Sequence, residues 1–166
     1  LVGSEMCIRD SVMIDDKTGK GICVIDLDTI MPGLAMNDFG DSIRFGASTA
    51  AEDEIDLTKV SCDMNLYEIY LRGFLKGCNG KLTSKEMELL PFGAKVMTFE
   101  CGMRFLTDYL EGDHYFKIHR ENHNLDRCRT QFKLVEDMEN KWEIMQKITE
   151  KYRRMYKQEK SDYFGY

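Results

Sequence analysis

The sequence predicts a mainly α-helical chain opened by a short β-hairpin. Two apolar runs rich in β-branched residues, 12–14 and 22–25, flank a polar connection holding Gly19 and Gly21, which is how a hairpin reads in sequence. After Pro32-Gly33 the strand signals stop, and apolar residues recur every three or four positions. Thr83-Ser84-Lys85-Glu86 spells a capping box, the reciprocal side-chain and backbone pairing that opens a helix.

Neither strand of the hairpin alternates cleanly between apolar and polar residues, so both are expected to be covered on both faces. A helix over 39–45 follows, with Asp38 placed to cap it. Asn65, with Glu68 three positions on, starts a second helix over 66–76 that stops near Gly77 and Gly80. The capping box opens a short third helix, and Pro91 restarts the chain as a fourth. In that fourth helix Val96, Phe99, Met103, Leu106 and Leu110 keep helical spacing as far as Gly112. One long amphipathic helix is expected over about 124–158. Its apolar positions are Leu125, Cys128, Phe132, Val135, Met138, Trp142, Met145, Ile148 and Tyr152, with Glu and Lys opposite. Residues 1–11 are read as a non-native leader, 12–160 as one lobe and 161–166 as a tail.

The 166 residues suffice for one hydrophobic core, and 43% hydrophobic with 31% charged is ordinary for a globular chain. A net charge of -6 gives no basic footprint for nucleic acid. It leaves a phosphate-bearing substrate open, because bound magnesium supplies positive charge locally. The six cysteines lack any CxxC pairing and sit in apolar segments, as reduced thiols of a cytoplasmic protein do. No apolar run approaches the roughly 18 residues that span a bilayer.

The stretch Val24-Ile25-Asp26-Leu27-Asp28 ends a strand in acids, a position from which a carboxylate can face a cleft and take Mg²⁺ with its phosphates. Acids at strand ends also cap turns, and the pattern alone does not separate the two. His114, His119 and His123, with Cys128 beyond, have spacing a zinc ion could use, but solvated or capping histidines are the simpler expectation. Arg127, Arg129 and Lys133 read as a solvated basic face.

Four long stretches occur in order: CVIDLDTIMPG, NDFGDSIRFGAST, FECGMRFLTDYLEGDHYFK and HNLDRCRTQFKLVEDM. Through them the chain from Val12 to about Trp142 resembles the aminoglycoside-phosphotransferase-like kinases, and within these the N-acetylhexosamine 1-kinases. The resemblance implies the C-terminal lobe of a protein-kinase-like fold, with ATP as co-substrate and Mg²⁺ as cofactor. It implies Asp26 as the metal ligand, with Asp28 the weaker competitor. Asp38-Phe39-Gly40 spells the metal-binding triplet of protein kinases, yet the resemblance makes Asp38 a structural residue. For the sugar it points to Arg104, Tyr115 and Phe45. A guanidinium fork suits ring hydroxyls and an amide carbonyl, and aromatic faces suit the apolar side of a sugar. Without the resemblance, Arg104 reads as a helix-surface charge paired to Asp108, and Tyr115 and Phe45 as core.

The same resemblance places a loop of the form His-Asn-Asp-x-x-x-x-Asn, carrying the catalytic base, just before Val12. Residues 1–11 contain no histidine or asparagine, and no ATP-covering glycine-rich loop precedes them. The chain as written is therefore expected to be an inactive fragment with no catalytic residue of its own. Two other readings stand beside this one: a phosphotransferase for an aminoglycoside or amino alcohol, and a non-catalytic helical interaction module built on the 124–158 helix.

Overall fold

A computed structural model describes residues 12–25 and 32–163, with side chains as far as Tyr156. The proposed metal acids Asp26 and Asp28 lie outside the described residues, as do 1–11 and 164–166. The architecture is mainly helical, with a two-stranded antiparallel hairpin at the N-terminal end. No described helix is long and apolar enough to cross a membrane.

Strands β1 (Val12–Ile14) and β2 (Gly21–Val24) pair with Val12 opposite Val24 and Met13 opposite Cys23, and a bulge follows at Met13/Ile14. The Asp15 carboxylate accepts from the backbone N–H of Lys17 and Thr18, and Gly19 supplies φ +64°. That is the turn chemistry that closes such a connection. The expectation of two covered faces fails. Both strands are exposed along their whole length, because the described residues lay no second layer over either face.

Helix α1 (Ala35–Gly46) starts earlier than expected, so Asp38 sits inside its first turn instead of capping it. Leu34 is the N-cap and makes no side-chain bond there. A loop then returns through a 3-10 turn at Leu57–Lys59 to an isolated bridge between Ser48 and Cys62. Asp63, not Asn65, caps α2 (Met64–Gly77), accepting from the N–H of Asn65 and Leu66.

The capping box at Thr83 and Glu86 is present, but the helix it opens, α3 (Ser84–Glu111), runs straight through Pro91. An interior proline forfeits one backbone hydrogen bond and crowds the preceding turn. Here Leu90, Pro91, Gly93 and Ala94 are all buried, and Gly93 lies against Met36 of α1. Gly40 of α1 and Gly93 of α3 make the contact possible. A β-carbon at Gly40 would stand 2.3 Å from the Gly93 carbonyl oxygen, and one at Gly93 would stand 2.1 Å from that of Met36. The apolar stripe read at 96–110 marks the helix correctly. The buried face, however, is another one, holding Leu90, Ala94, Thr98 and Phe105.

The long terminal helix is two helices, α4 (His123–Asn140) and α5 (Trp142–Tyr163), separated at Lys141. The Lys141 ammonium donates to Ser61 Oγ, the Cys62 carbonyl and Asp137 Oδ2 at 2.6 to 2.9 Å. The Asp137 carboxylate also accepts from the Cys62 N–H. This clamp fixes the break against the returning loop, and α5 turns back over α2. Tyr67 Oη meets Thr149 Oγ1 at 2.9 Å, and Tyr152 Oη donates to Glu68. Around that junction Phe39, Ile43, Tyr67, Leu71, Leu90, Leu134, Met138 and Met145 form the core. Phe39 meets Tyr67 edge-to-face at 5.7 Å.

Candidate functional site

The C-terminal half of α3 and the loop after it bring two of the three expected sugar residues together. The Arg104 guanidinium lies 5.8 Å from the Tyr115 ring centroid and 5.6 Å from that of Phe116, and donates to Tyr115 Oη at 3.4 Å. Cation–π distances of this order are attractive. Arg104 also stands 4.0 Å from Glu100, one turn back. These residues line an open groove with Met103, Thr107, Asp108 and Glu111. Tyr115 is 69% exposed, so it is not a core residue. Phe45 is exposed as well, in the last turn of α1, and falls outside the groove lining.

The groove owes its shape to Asp108. Gly112, at φ +102°, ends α3 in the left-handed conformation, and Asp113 at φ +59° continues it. Such a reversal brings the following N–H groups back toward the helix. Asp108 is buried and accepts from Tyr115 N–H at 2.7 Å, Phe116 N–H at 2.9 Å and Asn124 Nδ2 at 2.8 Å. Burial opposes its charge, but the backbone donors of Phe116, Tyr115 and His114 win and hold the carboxyl below its usual range. Asn124, fully buried, donates also to Asp113 Oδ1 and accepts from Arg127. Arg127 is therefore no solvated surface charge. Its guanidinium lies 5.4 Å from the Phe105 ring centroid and 3.9 Å from Glu52.

A second polar cluster ties the 47–62 loop to the start of α4. His123 is 3% exposed, which removes the solvated half of the expectation for it. Its Nδ1 accepts from the His119 N–H at 3.2 Å, so Nε2 carries the proton and donates to Asp53 Oδ2 at 3.0 Å. Arg120 bridges the Asp126 carboxylate and the Asp53 carbonyl. Among the described residues no group of three or more His, Cys, Asp or Glu is placed to hold a metal.

Asp38 is half-buried in the first turn of α1. Burial, helped by the charge of Asp41, pushes its carboxyl up to about 6. Phe39 is wholly buried and Gly40 lies at the α1–α3 contact, so these two residues of the triplet serve packing. The thiols of Cys23, Cys62, Cys78, Cys101 and Cys128 are all free. Burial pushes Cys62 up to about 12 and Cys101 up to about 11, which keeps both protonated.

Sequence reading named Asp108 only as a surface partner for Arg104, and missed both its buried role and Asn124 and Asp53. The one local signal was Gly112-Asp113 just past a helix, which marks a reversal but not the acid that secures it. No protein-family model matches this sequence.

Proposed function

We propose that the chain is the C-terminal lobe of a protein-kinase-like phosphotransferase that moves the γ-phosphoryl group of ATP to the anomeric hydroxyl of an N-acetylhexosamine. The observation that carries this reading is the groove in which Arg104 stands beside Tyr115 and Phe116. A planar fork of donors beside aromatic faces is what a sugar bearing an amide needs, and these residues occupy the family-like stretches of sequence. In this reading Asp26 holds Mg²⁺, with Asp28 second, and the metal neutralises phosphate charge. The base comes from a loop upstream of Val12. The protonated, free thiols suit a cytoplasmic location.

Two measurements test it. N-acetylglucosamine or N-acetylgalactosamine, titrated at millimolar concentration into isotope-labelled protein, is expected to shift the amides of Thr107, Tyr115 and Phe116. Arg104→Ala abolishes those shifts. A chain that includes the His-Asn-Asp loop and an ATP-binding lobe is expected to phosphorylate the same sugars. Absence of both binding and transfer across all amino sugars overturns the reading.

Glu100 and Glu111 on the same groove favour a second acceptor class, a cationic aminoglycoside or amino alcohol. Acids, not Arg104, then carry the binding. Glu111→Gln weakens a cationic ligand and spares an uncharged N-acetyl sugar, whereas Arg104→Ala does the reverse.

A further inference from the structure

Helix α3 is apolar on two opposite faces. Leu90, Ala94, Thr98 and Phe105 face the core. On the other side run Phe92, Val96, Phe99, Met103, Leu106 and Leu110, and Phe92, Phe99, Met103 and Leu110 are 45%, 51%, 43% and 74% exposed. A soluble helix normally turns a polar face to water, and one that is apolar all round is normally covered all round. A contiguous exposed apolar patch marks an interaction surface. The stripe also borders a shallow apolar groove whose far wall is Val135 and Glu139 of α4, with Phe99 stacked on Phe132 at 5.6 Å.

The spacing of the stripe identifies its partner. Its steps are four, three, four, three and four residues, the alternation of a heptad seam, with Phe92, Phe99 and Leu106 at d and Val96, Met103 and Leu110 at a. In this register Lys95 falls at g and Glu100 at e, on opposite flanks of the seam. When two such helices pair in parallel, each g residue faces the e residue five positions on in its partner. Lys95 of one copy then faces Glu100 of the other, and two-fold symmetry makes the contact twice. Lys95 now bonds Glu139 at 2.9 Å, and Glu100 lies 4.0 Å from Arg104. Both ion pairs are partly exposed and of small worth, and the exchange also gives up the 4.9 Å contact of Lys95 with the Trp142 ring.

We propose that the outer face of α3 is a homodimer surface, on which a second copy of this chain packs its own α3 in parallel, with Phe92, Val96, Phe99 and Met103 as the seam and Lys95–Glu100 pairs across it. Two and a half heptads make a short seam, so the association is weak and its state follows concentration.

Sedimentation velocity between about 1 and 200 µM tests this directly. The 19.3 kDa monomer is expected to double in mass across that range. Phe99→Glu, on an exposed position, holds the protein monomeric with an unchanged helical circular dichroism signal. Lys95→Glu and Glu100→Lys each shift dimerisation to higher concentration, and the double variant restores it. A wild-type monomer at the top of the range overturns the proposal and assigns the stripe to another cover. A dimer indifferent to Phe99→Glu overturns it too. Charge variants that the double exchange fails to rescue overturn the parallel register.

Discussion

Removing the Asp108 carboxylate leaves the N–H groups of Tyr115 and Phe116 and the Asn124 amide without their acceptor. Buried donors stripped of a partner cost about 1–3 kcal/mol each, less where a loop can swing out to water. Asp108→Ala is therefore expected to cost about 2–4 kcal/mol in urea denaturation, and to weaken sugar binding by freeing Tyr115. The pH dependence follows from the lowered folded value. The unfolded chain protonates this acid first, so its stabilisation is intact above about pH 4 and fades as pH falls through the folded value. The amide shifts of Tyr115 and Phe116 report that transition. Asp38 behaves in the opposite sense. Its folded value of about 6 lies above the 3.8 of an ordinary aspartate. Between these, the folded protein keeps a proton that the unfolded chain releases, so stability falls as pH rises from about 4 to 6. Asp38→Asn is expected to stabilise the protein at pH 7 to 8 by about 1 kcal/mol, discounted for partial exposure. At pH 4 the gain should vanish, and thermal melts at the two pH values decide it.

Among the elements, the α1–α3 contact is the least forgiving. Gly93→Ala would set a β-carbon 2.1 Å from a backbone oxygen, which only a shift of one helix can relieve. A cost of about 3 kcal/mol or more is expected. Gly73, exposed within α2 with nothing within 4 Å of an added β-carbon, is the contrasting site. Gly73→Ala is expected to stabilise by about 0.5–1 kcal/mol through helix propensity, and chemical denaturation of the two variants side by side checks both signs. Local chemistry made the hairpin, the capping box and the stop at Gly112 legible, since each is written within a few residues. The continuity of α3 through Pro91 was not, because the burial of Leu90, Pro91 and Ala94 is set by tertiary packing that leaves no local pattern. Nor was the break at Lys141, where the apolar spacing runs on without a gap and the cause lies at Ser61 and Cys62. In the candidate site, Arg104 and Tyr115 were singled out from the sequence and do lie side by side. Their buried support, Asp108 and Asn124, was not legible, since an acid and an amide sixteen positions apart leave no local pattern.

At the scale of the molecule, stability is unevenly spread. A two-stranded hairpin exposed on both faces has little to hold it, because such ribbons are marginal in water. The β1 and β2 amides are expected to exchange with deuterium at close to unprotected rates, while those around Leu71, Leu90 and Leu134 exchange only through global unfolding. Protection of the hairpin equal to that of the helices would contradict this picture. The glycine-to-glycine contact of α1 and α3 also has a consequence in time. Its two sides lie roughly fifty residues apart in the chain, so at about 5–20 residues per second a ribosome delivers α1 several seconds before α3. During that interval Phe39 has only the α2 rings of Tyr67, Tyr70 and Phe74 to pack against, and the face that it and Ile43 share with α3 stays uncovered. The nascent chain thus passes through a window in which a chaperone, or a neighbouring polysome, meets those two side chains before their own helix partner does.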